Sequence, residues 1–210
     1  MRIETGLWAE PLVPPRPTPT PALFCDRDGV LIEDSGYLGE PEGVSVIDGA
    51  ARILAACNAA DVPVVVVTNQ SGIGRGYYDW ADFAAVQARM LAILAADGAR
   101  VDGVYACAYH AAGKGDYAVA DHPWRKPGDG MLRAAAAALR LDLARSWIIG
   151  DHATDMAAGR AAGLVGGVHV LSGHGQQERA SALAAAGESY RLETADDIGG
   201  CAAVVGRLAA

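Results

Sequence analysis

Four consecutive valines, Val64, Val65, Val66 and Val67, run straight into the polar string Thr68-Asn69-Gln70-Ser71. A short, uninterrupted apolar run fits a strand buried on both faces, as in a parallel sheet covered by helices. Residues 22–25, 103–108, 146–150 and 167–171 also read as strands, and the strand core Trp147-Ile148-Ile149 is again continuously apolar. Helices are expected over residues 49–60, 79–97, 128–139, 154–162, 176–186 and 196–208. Asp79 can cap the second of these and Asp82 suits its first turn, while Pro127 precedes the third and Gly163 stops the fourth. Alternating strand and helix predicts an α/β fold: a doubly wound (Rossmann-like) parallel sheet sandwiched by helices. No insert is long enough for a large cap domain, so only small loops can cover a site. Six prolines crowd residues 11–21 and exclude a helix interior or a central strand there. Residues 1–20 therefore read as an extended Pro-rich arm, surface-lying or partly disordered, ahead of a single domain over residues 21–210. Within that arm Trp8 is a possible anchor.

At 210 residues the chain can bury a sizeable core, and its 51% hydrophobic content is that of a globular protein. The net charge of −8 comes with no basic run, which argues against nucleic acid as a partner. No apolar run reaches 18 residues, so no membrane span is expected, and no secretory signal is evident; the cytoplasm is the expected location. Cys25, Cys57, Cys107 and Cys201 are scattered and read as reduced, buried thiols. Nothing sets an oligomeric state, and a monomer is compatible with the sequence.

Four polar clusters fall where strands end: Asp26 with Asp28, Thr68 to Ser71, Arg125-Lys126, and Asp151 to Asp155. In a doubly wound sheet these carboxyl ends are where ligands bind. On a strand, positions i and i+2 face one side, so Asp26 and Asp28 can converge, and Gly29 permits a sharp turn beside them. One such carboxylate can attack an electrophile while the other moves protons, and the pair offers hard oxygen ligands to Mg²⁺. Alone, the motif reads equally as a strand ending in a polar turn. With a small hydroxyl, a lysine and a distant carboxylate added, the set can run phosphoryl transfer, where catalysis is mostly positioning and charge neutralisation.

Over residues 22–175 this arrangement resembles the haloacid dehalogenase (HAD) superfamily of phosphohydrolases. Asp26-x-Asp28-Gly29-Val30-Leu31, Thr68, Lys126 and Gly150-Asp151-x-x-x-Asp155 stand as its four motifs, in order. Asp34-Ser35-Gly36-Tyr37, Ser71-Gly72-Ile73-Gly74-Arg75-Gly76 and Arg125-Lys126-Pro127 look like the heptose 1,7-bisphosphate phosphatase family, near relatives of the histidinol-phosphate phosphatases. The resemblance implies that Asp26 forms an aspartyl-phosphate and that Asp28 acts as acid and then base. It also implies Mg²⁺ on the Asp26 carboxylate, the Asp28 carbonyl and Asp151, with Thr68, the Asn69 N–H and Lys126 holding phosphoryl oxygens. Ser71 and Arg125 would recognise substrate, Asp34 to Tyr37 and Gln70 would line the mouth, and Asp155 would support the metal or neighbouring loops. The substrate implied is a small phosphorylated sugar, heptose bisphosphate first; another metabolite such as histidinol phosphate is the alternative.

Two departures stand out. The family's structural zinc loop pairs Cys-x-His with Cys-x-Cys; here Cys107, His110 and His122 supply an incomplete set, so structural zinc is not expected. The loop over residues 109–124 is expected to cover the mouth. His152 replaces a lysine after the metal-binding aspartate, and reads either as a substrate contact or as a surface or supporting histidine. The Gly72-x-Gly74-x-Gly76 spacing does not fit a dinucleotide-binding turn and reads as a mobile substrate loop. A non-catalytic nucleotide-binding module is the competing class, opposed by the paired aspartates with Lys126 and Asp151. His174 reads as a loop residue without chemistry, and Trp80, Phe83, Val86 and Met90 as core. Asp196 and Asp197 read as the acidic first turn of the last helix.

Overall fold

The structure is a computed structural model and describes residues 2–209. The strands are β1 (Arg2–Glu4), β2 (Leu7–Pro11), β3 (Leu23–Cys25), β4 (Val64–Asn69), β5 (Gly103–Cys107), β6 (Trp147–Gly150), β7 (Gly166–Val170) and β8 (Arg191–Ala195). The helices are α1 (Ala50–Ala59), α2 (Ser71–Arg75), α3 (Trp80–Ala96), α4 (Gly130–Leu139), α5 (Ala153–Ala162), α6 (Gly175–Leu183) and α7 (Ala202–Leu208). One sheet runs in the order β1-β2-β5-β4-β3-β6-β7-β8. From β5 to β8 all pairings are parallel, whereas β1–β2 and β2–β5 are antiparallel. This is the doubly wound α/β architecture expected, and no cap domain interrupts it.

Strand alternation sorts the core into two layers. Leu23, Cys25, Val64 and Val66 pack with Ile53, Leu54, Phe83, Val86, Met90 and Val204 from α1, α3 and α7. Phe24, Val65 and Val67 face the other way, onto Met131, Leu132, Met156 and Ala158 from α4 and α5. Each fully buried Val or Leu of this kind contributes about 1.5–3 kcal/mol, which explains why the central strands carry no polar side chain before their ends. Asp79 caps α3 by accepting from Ala81 and Asp82 N–H, and the Asp82 carboxylate returns a bond to the Asp79 N–H. All four cysteines are buried and free. Among the described residues no helix is long and apolar enough to cross a membrane.

The proline-rich arm differs from its sequence reading. Its first part is the β1–β2 hairpin, which extends the sheet beside β5. Trp8 anchors it, stacking on Trp80 at 5.7 Å and meeting Phe83 edge-on at 5.3 Å. The proline stretch beyond is hydrogen-bonded along the underside of the domain, from Leu12 N–H to Asp102 O and from Arg16 N–H to Leu139 O, both 2.9 Å. Strand β8 also escaped prediction because its residues are half exposed at the sheet margin and lack an apolar run. The last helix starts later than expected: Asp197 instead caps a 3₁₀ turn (Ile198–Cys201) by accepting from Gly200 N–H.

β3 lies at the centre with β4 on one side and β6 on the other, so the chain order reverses at its carboxyl end. Asp26 follows immediately, which puts it at the topological switch point.

Candidate active site

Asp26, Thr68, Lys126 and Asp151 converge at this switch point from the ends of β3, β4 and β6 and from the segment before α4. Lys126, almost fully buried, is the hub. Its Nζ lies 2.8 Å from Asp26 Oδ2 and 2.5 Å from Asp155 Oδ1, and it donates to Val67 O at 2.8 Å. Asn69 fixes the lysine's backbone: its Oδ1 accepts from Lys126 N–H at 3.0 Å and its Nδ2 donates to Lys126 O at 3.1 Å. The Asn69 side chain thus locks two motif segments together.

Asp155 is buried and supports the site: it pairs with Lys126, and its Oδ2 accepts from His152 N–H at 3.0 Å at the start of α5. Asp151, also buried, has one oxygen 2.9 Å from His152 Nδ1 and the other accepting from His174 N–H at 2.8 Å. Gly29 (φ +77) and Gly173 (φ +57) clear its surroundings, since a Cβ at either position would fall within 2.5 Å of Asp151 Oδ2.

These contacts set the charges. Burial pushes the Asp26 carboxyl up to about 7 from an ordinary 3.8; Lys126 pulls it down, but Asp155 and Asp151 push it up again. Burial would lower Lys126, yet Asp155 and Asp26 outweigh it and hold the ammonium above its ordinary value. Burial likewise opposes the charges on Asp151 and His152. Their hydrogen bond wins: Asp151 stays below the usual carboxylate range, and His152 is raised to about 9.

Among the described residues, Asp26, Asp151, His152 and Asp155 form a cluster whose ligand atoms lie within 4.8 Å of one another. Three carboxylates around one lysine leave an excess of negative charge on hard oxygens. Carboxylate oxygens of this kind suit Mg²⁺. The carboxylates of Asp26 and Asp151 could hold the ion.

A cleft of about 470 Å³ opens above, lined by Asp26, Asp28, Asp34, Gly36, Tyr37, Thr68, Asn69, Gln70, Ser71, Arg125, Lys126 and His152, all expected from the sequence. Ser35 is not part of it and borders a separate shallow groove. Asp28 reaches the cleft from a turn, because strand pairing stops at Cys25 and alternation no longer governs its direction. Tyr78, Thr154 and His174 also line the cleft and were not expected. His174, read as a loop residue without chemistry, has partners at the cleft: its Nε2 is 3.0 Å from Asp34 Oδ2, and its ring tilts against His152 at 4.8 Å. A histidine between two glycines gives no sequence signal of such a partner.

The segment expected to be a mobile glycine loop is helix α2, with Gly72, Ile73 and Gly74 buried. The loop over residues 109–124 flanks it: Lys114 N–H donates to Gly74 O at 2.8 Å, and His110 Nε2 is 3.3 Å from Arg75 Nη2. Among the described residues none from 109–124 lines the cleft, so the loop buttresses the mouth without covering it. His122 stacks on Tyr109 at 4.3 Å, and Cys107 ends β5 in the core. Arg125 reaches the cleft while Nη1 donates to Tyr109 O at 3.2 Å.

Comparison with known proteins decides the family. Residues 123–198 match the HAD-hydrolase-like family. The chain is 49% identical over 168 residues to a D-glycero-beta-D-manno-heptose-1,7-bisphosphate 7-phosphatase from Mesorhizobium japonicum, covering 78% of this chain and 76% of that protein. The chain belongs to the HAD-type heptose-bisphosphate phosphatase family. A second relative, the D-glycero-alpha-D-manno-heptose-1,7-bisphosphate 7-phosphatase of Burkholderia mallei, is 44% identical over 68% of this chain and 76% of its own length. Among solved structures, one described as a HAD-like phosphatase from Mesorhizobium loti superposes with a TM-score of 0.88 at 41% identity, covering 99% of this chain and 95% of that one. The D,D-heptose 1,7-bisphosphate phosphatase of B. bronchiseptica, complexed with magnesium and phosphate, gives 0.74 at 31% identity over 88% and 97%. This HAD phosphatase is therefore a phosphoric monoester hydrolase.

Proposed function

We propose that this phosphatase removes the 7-phosphate of D-glycero-D-manno-heptose 1,7-bisphosphate through an aspartyl-phosphate on Asp26. The observation that carries the reading is Asp26 at the switch point, ion-paired with Lys126, which Asp155 also holds, in a cleft that Arg125, His152 and His174 line as well. Asp26 and Lys126 suit the reacting phosphoryl group, and the other cations and hydrogen-bond donors of the cleft suit the rest of an anionic sugar.

In the first half-reaction Asp26 attacks phosphorus, the phosphorus–sugar oxygen bond breaks, and protonated Asp28 gives its proton to the departing oxygen. In the second, water attacks the phosphorus and passes a proton to Asp28; the bond to Asp26 breaks and inorganic phosphate leaves. Thr68, the Asn69 N–H and Lys126 hold the phosphoryl oxygens throughout. Bound Mg²⁺ would supply charge neutralisation for the phosphoryl group.

His152, held by Asp151, and His174, held by Asp34, add hydrogen-bonding groups for the substrate. The relatives differ in the anomer named, and both anomers belong in the test. Turnover of the two heptose bisphosphates, histidinol phosphate and a set of hexose phosphates should rank a heptose bisphosphate first by kcat/KM, and Asp26→Asn should abolish turnover while the fold persists. A higher kcat/KM for histidinol phosphate would refute the substrate, and near-normal activity of Asp26→Asn would refute the mechanism.

A further inference from the structure

Asp28 is the group that moves protons in the proposed reaction, and two neighbouring side chains hold it in place. Arg27 grips it at two points, Nε 3.1 Å from Oδ1 and Nη2 3.0 Å from Oδ2. Gln70 Nε2 donates to Asp28 Oδ2 at 2.8 Å and to Thr68 Oγ1 at 2.8 Å. The Gln70 oxygen accepts from Arg27 Nη2 at 3.1 Å and from the Tyr78 hydroxyl at 2.5 Å.

An amide has two N–H donors and two acceptor lone pairs, and all four are taken. Gln70 is 1% exposed, so although it borders the cleft it has nothing left to offer a substrate. Charge fixes its orientation: turned over, its oxygen would face the Asp28 carboxylate and its N–H₂ the guanidinium. Arg27 is itself 1% exposed, with its guanidinium 5.2 Å above the Phe83 ring that Trp8 and Trp80 back edge-on. Its Nη1 is buried without a hydrogen-bond partner among the described residues. Leaving such a donor unpaired is costly, and packing alone gives no reason to keep a guanidinium there.

We propose that Arg27 and Gln70 are positioning residues that aim the Asp28 carboxyl. This rests on the reaction proposed above, in which Asp28 protonates the departing sugar oxygen. A p-nitrophenyl ester does not need that proton, because the electron pair of its breaking phosphorus–oxygen bond leaves on a stable phenolate. The two esters share every other contact at the phosphoryl group.

The test is single-turnover release of the alcohol, with Mg²⁺-loaded enzyme in excess, for Gln70→Met and Arg27→Lys against the wild type. The substrates are heptose bisphosphate, or whichever sugar phosphate ranks first in the panel, and p-nitrophenyl phosphate. Sugar release should fall about 10²-fold or more, the scale of general acid catalysis, and p-nitrophenolate release by less than about 5-fold, with little change in KM. Arg27→Lys keeps the charge and should show the same selectivity if Gln70→Met does not fold. Equal losses on both esters would mean a merely structural role, and a raised KM at constant kcat would mean a substrate contact; either overturns the proposal. Near-normal turnover by Asp26→Asn would instead strike the proposed reaction, before either of these variants is compared.

Discussion

Replacing Lys126 with methionine removes the one cation shared by two buried carboxylates, and its cost should depend on pH in a defined direction. At an effective dielectric constant of about 20, an ion pair at 2.8 Å is worth roughly 6 kcal/mol, so losing the pairs with Asp26 and Asp155 is expensive if both stay ionised. They need not, because a carboxylate stripped of its partner can take up a proton. That escape costs about 1.4 kcal/mol for each pH unit above the ordinary value of 3.8: roughly 6 kcal/mol per group at pH 8 and about 2 kcal/mol at pH 5.5. Removing one partner of a buried pair commonly costs about 3–5 kcal/mol, within that ceiling. Asp26, raised to about 7, already holds its proton at pH 5.5 in the wild type, so only one carboxylate has to take one up there; the expected loss is about 3–5 kcal/mol at pH 8, falling to about 2 kcal/mol at pH 5.5. The folded variant holds a carboxyl proton that the unfolded chain has released, so it loses stability as pH rises. For a chain this size the loss lowers Tm by about 6–20 °C at pH 8. Thermal unfolding of both proteins in chelator at the two pH values measures it. A loss as large at pH 5.5 as at pH 8 would refute the reasoning.

Gly173→Ala should act on the metal: its Cβ would sit 2.3 Å from Asp151 Oδ2 at a backbone φ of +57, so the Mg²⁺ needed for half-maximal activity should rise about 10–100-fold. An unchanged Mg²⁺ titration would show that Asp151 has room to move. In chelator, NMR should find the His152 ring titrating near 9, above its ordinary 6.5. Its stabilisation is then complete below pH 6.5 and lost as pH rises through about 9, and Mg²⁺ at Asp151 should shift the titration down. A value at or below 6.5 without metal would contradict the Asp151 contact.

Much of this molecule was legible because its signals are local. Consecutive valines specify a strand covered on both faces, a capping aspartate starts α3, and Asp26, Thr68 and Asp151 each stand at the end of a strand that the residues announce. A strand end at the reversal of a parallel sheet needs no distant information to be recognised as a ligand site. Other features had no local signal. The β1–β2 hairpin depends on a vacant edge at β5, and β8 on one at β7; edge strands of mixed polarity draw their stability from the partner. α2 was misread because glycines that look flexible in sequence are here close-packed against Tyr78 and Ala108.

The same division runs through the site. The sequence by itself picked out the candidate groups, since a carboxylate pair, a lysine and a further acid are recognisable by type and order. Only the tertiary structure decided what each is tied to. Arg27 sits between two aspartates, where strand alternation would turn it away from them. The strand stops at Cys25, and the turn beyond brings the guanidinium onto Asp28. His174 acquires its role from Asp34, 140 positions away, and Gln70 from Arg27, Thr68 and Tyr78 together. Residue type fixes what a side chain can do, but hydrogen bonds and buried charges act over a few ångströms, and those distances exist only once the chain has closed on itself.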